Sequence, residues 1–284
     1  MQLITGKTKL LGVIGDPIEH SLSPVMHNAG IKALGVDYVY IPLAIKTEDL
    51  EGAIAAFRGM NLEGFNVTIP HKQRVMEFLD EVSPLAKKVG ATNTVWANQE
   101  GWSGTNTDVA GFLAPLKLLE RNWGEIKPLV LGYGGAARAV VEALSGLGCR
   151  QIRVVGRNLE KLAQFQKGWL QVEIYQWSEL SELIADSELL VNTTPIGMYP
   201  YGQESPLEGD LVKLVQPGAI VYDLIYTPRP TKLLRESQQQ GAVIIDGLEM
   251  LINQGAIALE IWLQRSVPVE VMRQALLNHL HILE

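Results

Sequence analysis

A chain of 284 residues, 47% hydrophobic and 19% charged, has enough apolar side chain to build two ordinary domains and too little charge density for intrinsic disorder. Its formal net charge of −7 gives it no general attraction for nucleic acid or an anionic membrane, so an anionic substrate would need local positive groups. A single cysteine, Cys149, excludes an intrachain disulfide, and no stretch reads as a membrane span or signal peptide, so the cytoplasm is the expected compartment.

The first third alternates strand and helix patterns. Leu10 to Ile14 reads as a strand. Pro24 to Leu34 reads as a helix, with Ser23 as N-cap, Pro24 at the first helical position and Gly35 just past the end. Strands over 37–43 and 64–68 flank a helix over 48–57 capped by Thr47. Helices are expected from Pro70 to Leu79 and, capped by Ser83, from Pro84 to Val89. Asn93 to Ala97 and Trp102 to Gly104, joined through Gln99, Glu100 and Gly101, read as a hairpin. The pattern describes an α/β unit with a mostly parallel sheet, followed by a bridging helix from Asp108 to Glu120.

Several residues in this stretch could carry chemistry. Lys72, in the run Asn66 to Lys72, falls in the first turn of the expected helix, where the dipole disfavours an ammonium and would ease proton exchange near neutral pH. On the residues alone, a solvated surface lysine, with Thr68 as an ordinary cap, is the simpler explanation. Asp108 is either a plain N-cap or a carboxylate paired with a catalytic cation. Asn93 is explicable as a turn residue. Ser21 and Ser23 precede a helix and could bind a carboxylate there; capping accounts for Ser23 but not for Ser21.

From Leu129 the βα alternation restarts, with strands expected over 129–131, 151–155, 171–175, 188–193, 219–223 and 242–245. The first of these ends in Gly132, Tyr133, Gly134, Gly135, Ala136 and Ala137, the G-x-G-x-x-A form of a dinucleotide-binding turn, and a helix follows to Gly148. Gly132 permits the tight turn, Gly134 lets backbone approach a pyrophosphate, and Ala137 lets the helix pack close on the strand. The helix N-terminus offers N–H groups to phosphate. After the second strand, where an NAD-binding chain carries Asp or Glu, stand Gly156, Arg157 and Asn158. A guanidinium there suits a 2′-phosphate, so NADP is favoured. The segment 197–209 is either a mobile lid or a long connection, and helices over 248–263 and 268–280 close the chain.

Other chemistries find no pattern. The five histidines, at 20, 27, 71, 279 and 281, lack zinc spacing and there is no C-x-x-C, so no metal is expected. Neither a P-loop nor a nucleophile elbow is present.

Eight blocks, in order, resemble the shikimate dehydrogenase family: HSLSP at 20–24, NVTIPHK at 66–72, GATNT at 90–94, GTNTD at 104–108, GYGGAARA at 132–139, NTTPIGM at 192–198, YDLIYTP at 222–228 and DGLEMLINQG at 246–255. The resemblance implies reversible NADPH-dependent reduction of 3-dehydroshikimate to shikimate, on the way to chorismate and the aromatic amino acids. It implies an α/β fold of two domains: a substrate domain over 1–105 and 248–284, and a Rossmann-type NADP-binding domain over 106–247, with the active site in the cleft between them. Lys72 and Asp108 are then catalytic. Ser21, Ser23 and Tyr226 hold the substrate carboxylate; Thr68, Asn93, Asp108 and Gln254 hold the ring hydroxyls; Asn66 lines the pocket. Gly132, Tyr133, Gly134, Gly135 and Ala136 hold the pyrophosphate, Arg157, Asn158 and Lys161 surround the 2′-phosphate, and Leu224, Gly247 and Met250 lie near the nicotinamide. Leu224 stands where many members carry Met. The resemblance leaves a homodimer open. Two rivals are a quinate/shikimate dehydrogenase that also accepts NAD, against which Arg157 argues, and a non-catalytic metabolite sensor, against which the intact Lys72 and Asp108 argue.

Overall fold

The computed structural model describes residues 3–283. Two compact units divide the chain. One takes it up to Gly111 and again from Leu251; the other is Phe112–Met250.

The first unit opens with β1 (Lys9–Gly15), α1 (Ser23–Leu34), β2 (Tyr38–Ala44), α2 (Leu50–Gly59) and β3 (Leu62–Val67). There follow β4 (Glu81–Val82), α3 (Pro84–Val89), β5 (Thr94–Ala97), β6 (Trp102–Thr105) and α4 (Asp108–Leu116), within which the first unit ends. The strands form one sheet in the order β2-β1-β3-β5-β6-β4. β1 runs parallel to both β2 and β3, whereas β5 returns antiparallel to β3 and to β6 as the expected hairpin. Ile54, Phe57, Phe65, Val75 and Trp102 are buried together on one side of this sheet, with Phe65 edge-on to both Phe57 and Trp102. Asn28 ties α1 to β2, donating to Tyr40 O and accepting from Tyr40 N.

Four local expectations are corrected. α1 begins at Ser23 itself, with Leu22 at the cap position, so Ser23 is not its cap. Thr47 caps nothing; it starts a short 3₁₀ turn, Thr47–Asp49, that leads into α2. No α-helix spans 70–79. The Lys72 carbonyl, which a helix would give to residue 76, instead accepts from Thr92 N, and Met76 N turns to Gln73 O, leaving turns and a 3₁₀ segment over Arg74–Phe78. The helix from Asp108 ends at Leu116 rather than Glu120, because Pro115 has no N–H to give and the chain beyond tightens into i→i+3 bonds at Leu118 and Leu119.

The second unit contains β7 (Pro128–Leu131), α5 (Gly135–Gly146), β8 (Arg153–Gly156), α6 (Leu159–Gln166), β9 (Glu173–Gln176), α7 (Leu180–Ala185), β10 (Leu189–Asn192), β11 (Ile220–Asp223), α8 (Lys232–Gln239) and β12 (Val243–Ile245). All five strand pairings are parallel, in the order β12-β11-β10-β7-β8-β9. Counted from β7, this is the doubly wound order of a Rossmann fold, whose direction reverses between β7 and β10. Leu129, Leu131, Val155, Leu190 and Val221 are fully or nearly fully buried in one core beneath it.

The chain ends in α9 (Leu248–Leu263) and α10 (Val269–Leu283). Both lie against α1: a Cβ on Gly30 would meet Leu259 and Met272 at 3.1–3.2 Å, and one on Gly255 would meet Met26 at 2.2 Å. Trp262 reaches the sheet, donating from Nε1 to Val95 O at 2.9 Å over the bare face of Gly64.

Candidate active site

In the first unit a polar cluster gathers at the ends of β3 and β5. Thr68 N donates to Ile14 O (2.9 Å) as the chain leaves β3, and its side chain packs over Gly15, where a Cβ would come within 2.5 Å. Four residues on, the Lys72 side chain, 15% exposed, places Nζ 2.6 Å from Asp108 Oδ2, whose own side chain is 5% exposed. Lys72 is therefore not a solvated surface lysine, and a turn rather than a helix N-terminus presents it, so the dipole argument does not apply. Asp108 is not a plain cap either. Asn106 Oδ1 takes the Val109 N–H at the start of α4, leaving both Asp108 oxygens for side chains. A shielded pair such as this repays its desolvation only when the remaining lone pairs are hydrogen-bonded. Asn93 Nδ2 does that, donating to Asp108 Oδ1 at 2.9 Å.

Asn93 is buried and is the hub of the cluster. Its amide nitrogen also faces Thr107 Oγ1 (2.9 Å) and Gln254 Oε1 (3.1 Å), and its Oδ1 accepts from Thr107 N (2.7 Å). Gln254 comes from α9 and anchors its Nε2 on Leu251 O at 2.9 Å. Asn66 spends its amide on the framework, donating to Asn93 O (3.0 Å) and Thr94 Oγ1 (3.1 Å) and accepting from Tyr40 OH (2.7 Å). Ser23 is buried, within hydrogen-bonding reach of the same Tyr40 hydroxyl. Ser21 is half-buried and its Oγ accepts from Ser23 N at 3.4 Å, so Ser21, not Ser23, serves the chain entering α1. Behind Tyr40 stacks His27, ring to ring at 4.2 Å. Complete burial lowers the His27 imidazole to about 3, against a smaller opposing effect of Asn66, so it packs as a neutral ring.

In the second unit β7 delivers the glycine turn. Gly132 has φ +104, and a Cβ there would stand 2.7 Å from Thr193 Oγ1, so only glycine serves. Tyr133 lies across Gly156, whose Cβ would meet the ring at 2.4 Å. Gly134 is extended at the N-cap of α5, with nothing within 4 Å of where its side chain would be, and its neighbour Gly135 opens the helix. That is an open cradle of backbone N–H groups at a helix N-terminus and at the sheet's switch point, a fit for a dinucleotide pyrophosphate. Ala136 is half-buried and Ala137 fully buried against the strand. Arg157, Asn158 and Lys161 are all exposed after β8; Asn158 caps α6 by accepting from Lys161 N at 3.0 Å. Leu224 and Tyr226, both half-buried, follow β11, and Met250 is buried. Gly247 passes so close to Leu224 that a Cβ would lie 2.0 Å from the Leu224 carbonyl oxygen.

Lys72, Asp108, Asn93 and Gln254 thus form one network, with Asn66, Tyr40 and Ser23 linked behind it, and the glycine turn and basic segment lie around β7 and β8. Among the described residues no group of three His, Cys, Asp or Glu is placed to hold a metal, and no helix is long and apolar enough to cross a membrane. Cys149 is buried, and burial pushes its thiol up to about 11.

Comparison with known proteins decides the family. The model of a shikimate dehydrogenase substrate binding domain matches residues 13–95, that of shikimate / quinate 5-dehydrogenase matches 116–201, and that of the shikimate 5′-dehydrogenase C-terminal domain matches 247–277. A shikimate dehydrogenase (NADP(+)) of Gloeothece citriformis is 57% identical over 99% of this chain and 100% of its own length. The chain belongs to the shikimate dehydrogenase (NADP(+)) family. Among solved structures, shikimate dehydrogenase from Aquifex aeolicus superposes with a TM-score of 0.88 at 37% identity, covering 96% of this chain and 99% of that one. The enzyme from Thermus thermophilus, solved in complex with NADP(H) and shikimate, gives 0.83 at 32% identity, covering 94% and 98%. The resemblance, the α/β fold and the NADP-dependent family expected from the sequence all stand.

Sequence reasoning missed Thr107 and Tyr40, which complete the networks of Asn93 and Asn66, and it gave no role to Asn192, Asp223 or Thr231. Asn192 and Asp223 lie inside the blocks NTTPIGM and YDLIYTP, so the signal was present in the motifs.

Proposed function

We propose that this shikimate dehydrogenase reversibly reduces 3-dehydroshikimate to shikimate with NADPH, and that Lys72 and Asp108 are its catalytic residues. The observation that carries the reading is the shielded 2.6 Å Lys72–Asp108 pair set inside the Asn93–Gln254 network. Bound NADPH supplies the hydride. As the C3 carbonyl is reduced, charge develops on its oxygen; the Lys72 ammonium stabilises it and gives up a proton to make the hydroxyl. Asp108 holds Lys72 in place and accepts from a substrate hydroxyl. In the oxidative direction Lys72 takes the proton back.

Thr68, Asn93, Asp108 and Gln254 fix the ring hydroxyls, Ser21, Ser23 and Tyr226 take the carboxylate, and Asn66 orders the wall behind them. On the cofactor side, Gly132 to Ala136 receive the pyrophosphate, Arg157 and Lys161 the 2′-phosphate with Asn158 holding the turn, and Leu224, Gly247 and Met250 flank the nicotinamide. We assign the substrate role to the unit that carries Lys72 and the NADP role to the unit that carries the glycine turn. A cytoplasmic enzyme, either monomer or homodimer, fits its reduced cysteine and metabolite chemistry. The test is the fall in NADPH absorbance when 3-dehydroshikimate is added, with NADH and quinate as controls. Turnover of 3-dehydroshikimate with NADPH supports the reading; its absence refutes it.

A further inference from the structure

Asn192 and Asp223 end the adjacent strands β10 and β11, and both are fully buried. Asp223 Oδ1 accepts from Asn192 Nδ2 at 2.9 Å and from Ile225 N at 3.2 Å, while Oδ2 accepts from Thr231 Oγ1 at 2.7 Å. Asn192 uses the rest of its polar atoms in the same way. Its Oδ1 takes Thr194 N (3.0 Å) and Thr194 Oγ1 (2.7 Å), its Nδ2 also meets Ile196 O (3.2 Å), and its carbonyl takes Leu224 N (3.1 Å). Thr231 Oγ1 in turn caps α8 by accepting from Leu234 N at 3.3 Å. Each partner lies on one of the two loops that leave these strands, 193–198 and 224–231.

Both loops press on backbone already placed at the cofactor site. Thr193 stands against Gly132, where a Cβ would be 2.7 Å from its Oγ1, and Thr193 N and Oγ1 both bond Leu131 O. Leu224 stands against Gly247, and Gly247 N donates to Ile225 O at 3.1 Å. Close packing of this kind passes a loop shift straight to the glycine beside it.

We infer that Asp223 is a positioning residue: with Asn192 it locks the loops after β10 and β11, so that the backbone at Gly132 and Gly247 keeps the shape that receives the dinucleotide. The cofactor half of this inference rests on the function proposed above; the locking of the loops does not. Burial pushes the Asp223 carboxyl up to about 6, opposed by its three donors and helped by Asp246, which is itself paired with Arg229. At neutral pH it is therefore mainly ionised, with both oxygens serving as acceptors.

The test compares Asp223→Ala and Asp223→Asn in the full chain, by amide hydrogen exchange and by calorimetric titration with NADP+. Asp223→Ala leaves Ile225 N and Thr231 Oγ1 on the second loop without an acceptor and removes the anchor of Asn192, which holds the first, so NADP+ affinity is expected to fall roughly tenfold or more. Faster exchange is expected at Thr194, Ile196 and Ile225, with the sheet amides unchanged. Asp223→Asn keeps Oδ1 and can donate to Thr231 Oγ1, so it should recover most of that loss, which a general demand for a buried charge would not allow. If Asp223→Ala does not fold, Asn192→Ala empties the other half of the lock and should speed exchange at Thr194 and weaken NADP+ in the same way. Wild-type exchange and affinity in the Ala variants, or an Asn variant as impaired as Ala, would overturn the inference. A wild-type protein that fails to bind NADP+ would refute the proposed function, while the exchange measurement would still decide the lock.

Discussion

Asn158 Oδ1 accepts a hydrogen bond from the Lys161 amide at 3.0 Å, so at the turn after β8 the asparagine holds the start of α6 while its neighbour Arg157 stands exposed. The two residues thus divide the work. Asn158 builds the turn, and Arg157 is the residue proposed to meet the 2′-phosphate. A charged contact of that kind contributes about 2–3 kcal/mol. Arg157→Ala should therefore raise the KM for NADPH by one to two orders of magnitude and leave that for NADH nearly unchanged. Equal effects on both cofactors would contradict the assignment.

Ser21 and Ser23 separate in the same way. Replacing both with alanine should weaken shikimate binding, measured by calorimetry, while NADP+ binding stays as in the wild type. Ser21→Ala also removes a long, 3.4 Å hydrogen bond to Ser23 N, so only a small loss of melting temperature is expected. A large loss of stability with unaltered shikimate affinity would make the serines structural.

The buried Asp223 carboxyl gives stability a pH dependence of known sign. Its native value of about 6 lies above the ordinary 3.8, so between these values the native state binds the proton more strongly than the unfolded chain does. Its contribution is complete below the ordinary value and is lost as pH rises through about 6, a change of about 3 kcal/mol. Asp223→Asn has no such loss. Relative to wild type, its unfolding free energy in urea should be higher at pH 7.5 than at pH 4.5 by up to that amount. A difference that does not change with pH would show that Asp223 is not buried as a charge.

Much of this was legible in the sequence, for physical reasons. The segments 129–131, 151–155 and 188–193 hold the wholly buried strands β7, β8 and β10, and Gly132 and Ala137 stand where a strand must turn tightly into a helix; such features carry their own explanation. The failures are places where a distant partner overrode a local preference. Pro70 looked like a helix start, but Thr92 N takes the Lys72 carbonyl. Thr47 and Ser23 looked like caps, and neither bonds a helix end. Asp108 looked like a cap, but its carboxylate turns to Lys72 and Asn93 while Asn106 serves the helix. The Asn192–Asp223 lock joins residues 31 apart and is set by the register of β10 on β11, which no single-chain pattern displays. The pairing of Lys72 with Asp108, 36 residues apart, came from the family resemblance rather than from spacing.

The most direct test of the account is steady-state kinetics of Lys72→Ala, with shikimate affinity measured by calorimetry on the same protein. A group that acts chiefly in the transition state should, when removed, lower kcat and kcat/KM about equally. A turnover number reduced by roughly 10²–10⁴-fold is expected, with shikimate bound nearly as tightly as by the wild type. Asp108→Ala should also raise the KM, since its carboxylate is proposed to hold a substrate hydroxyl as well as Lys72. Wild-type turnover in Lys72→Ala would contradict the mechanism outright.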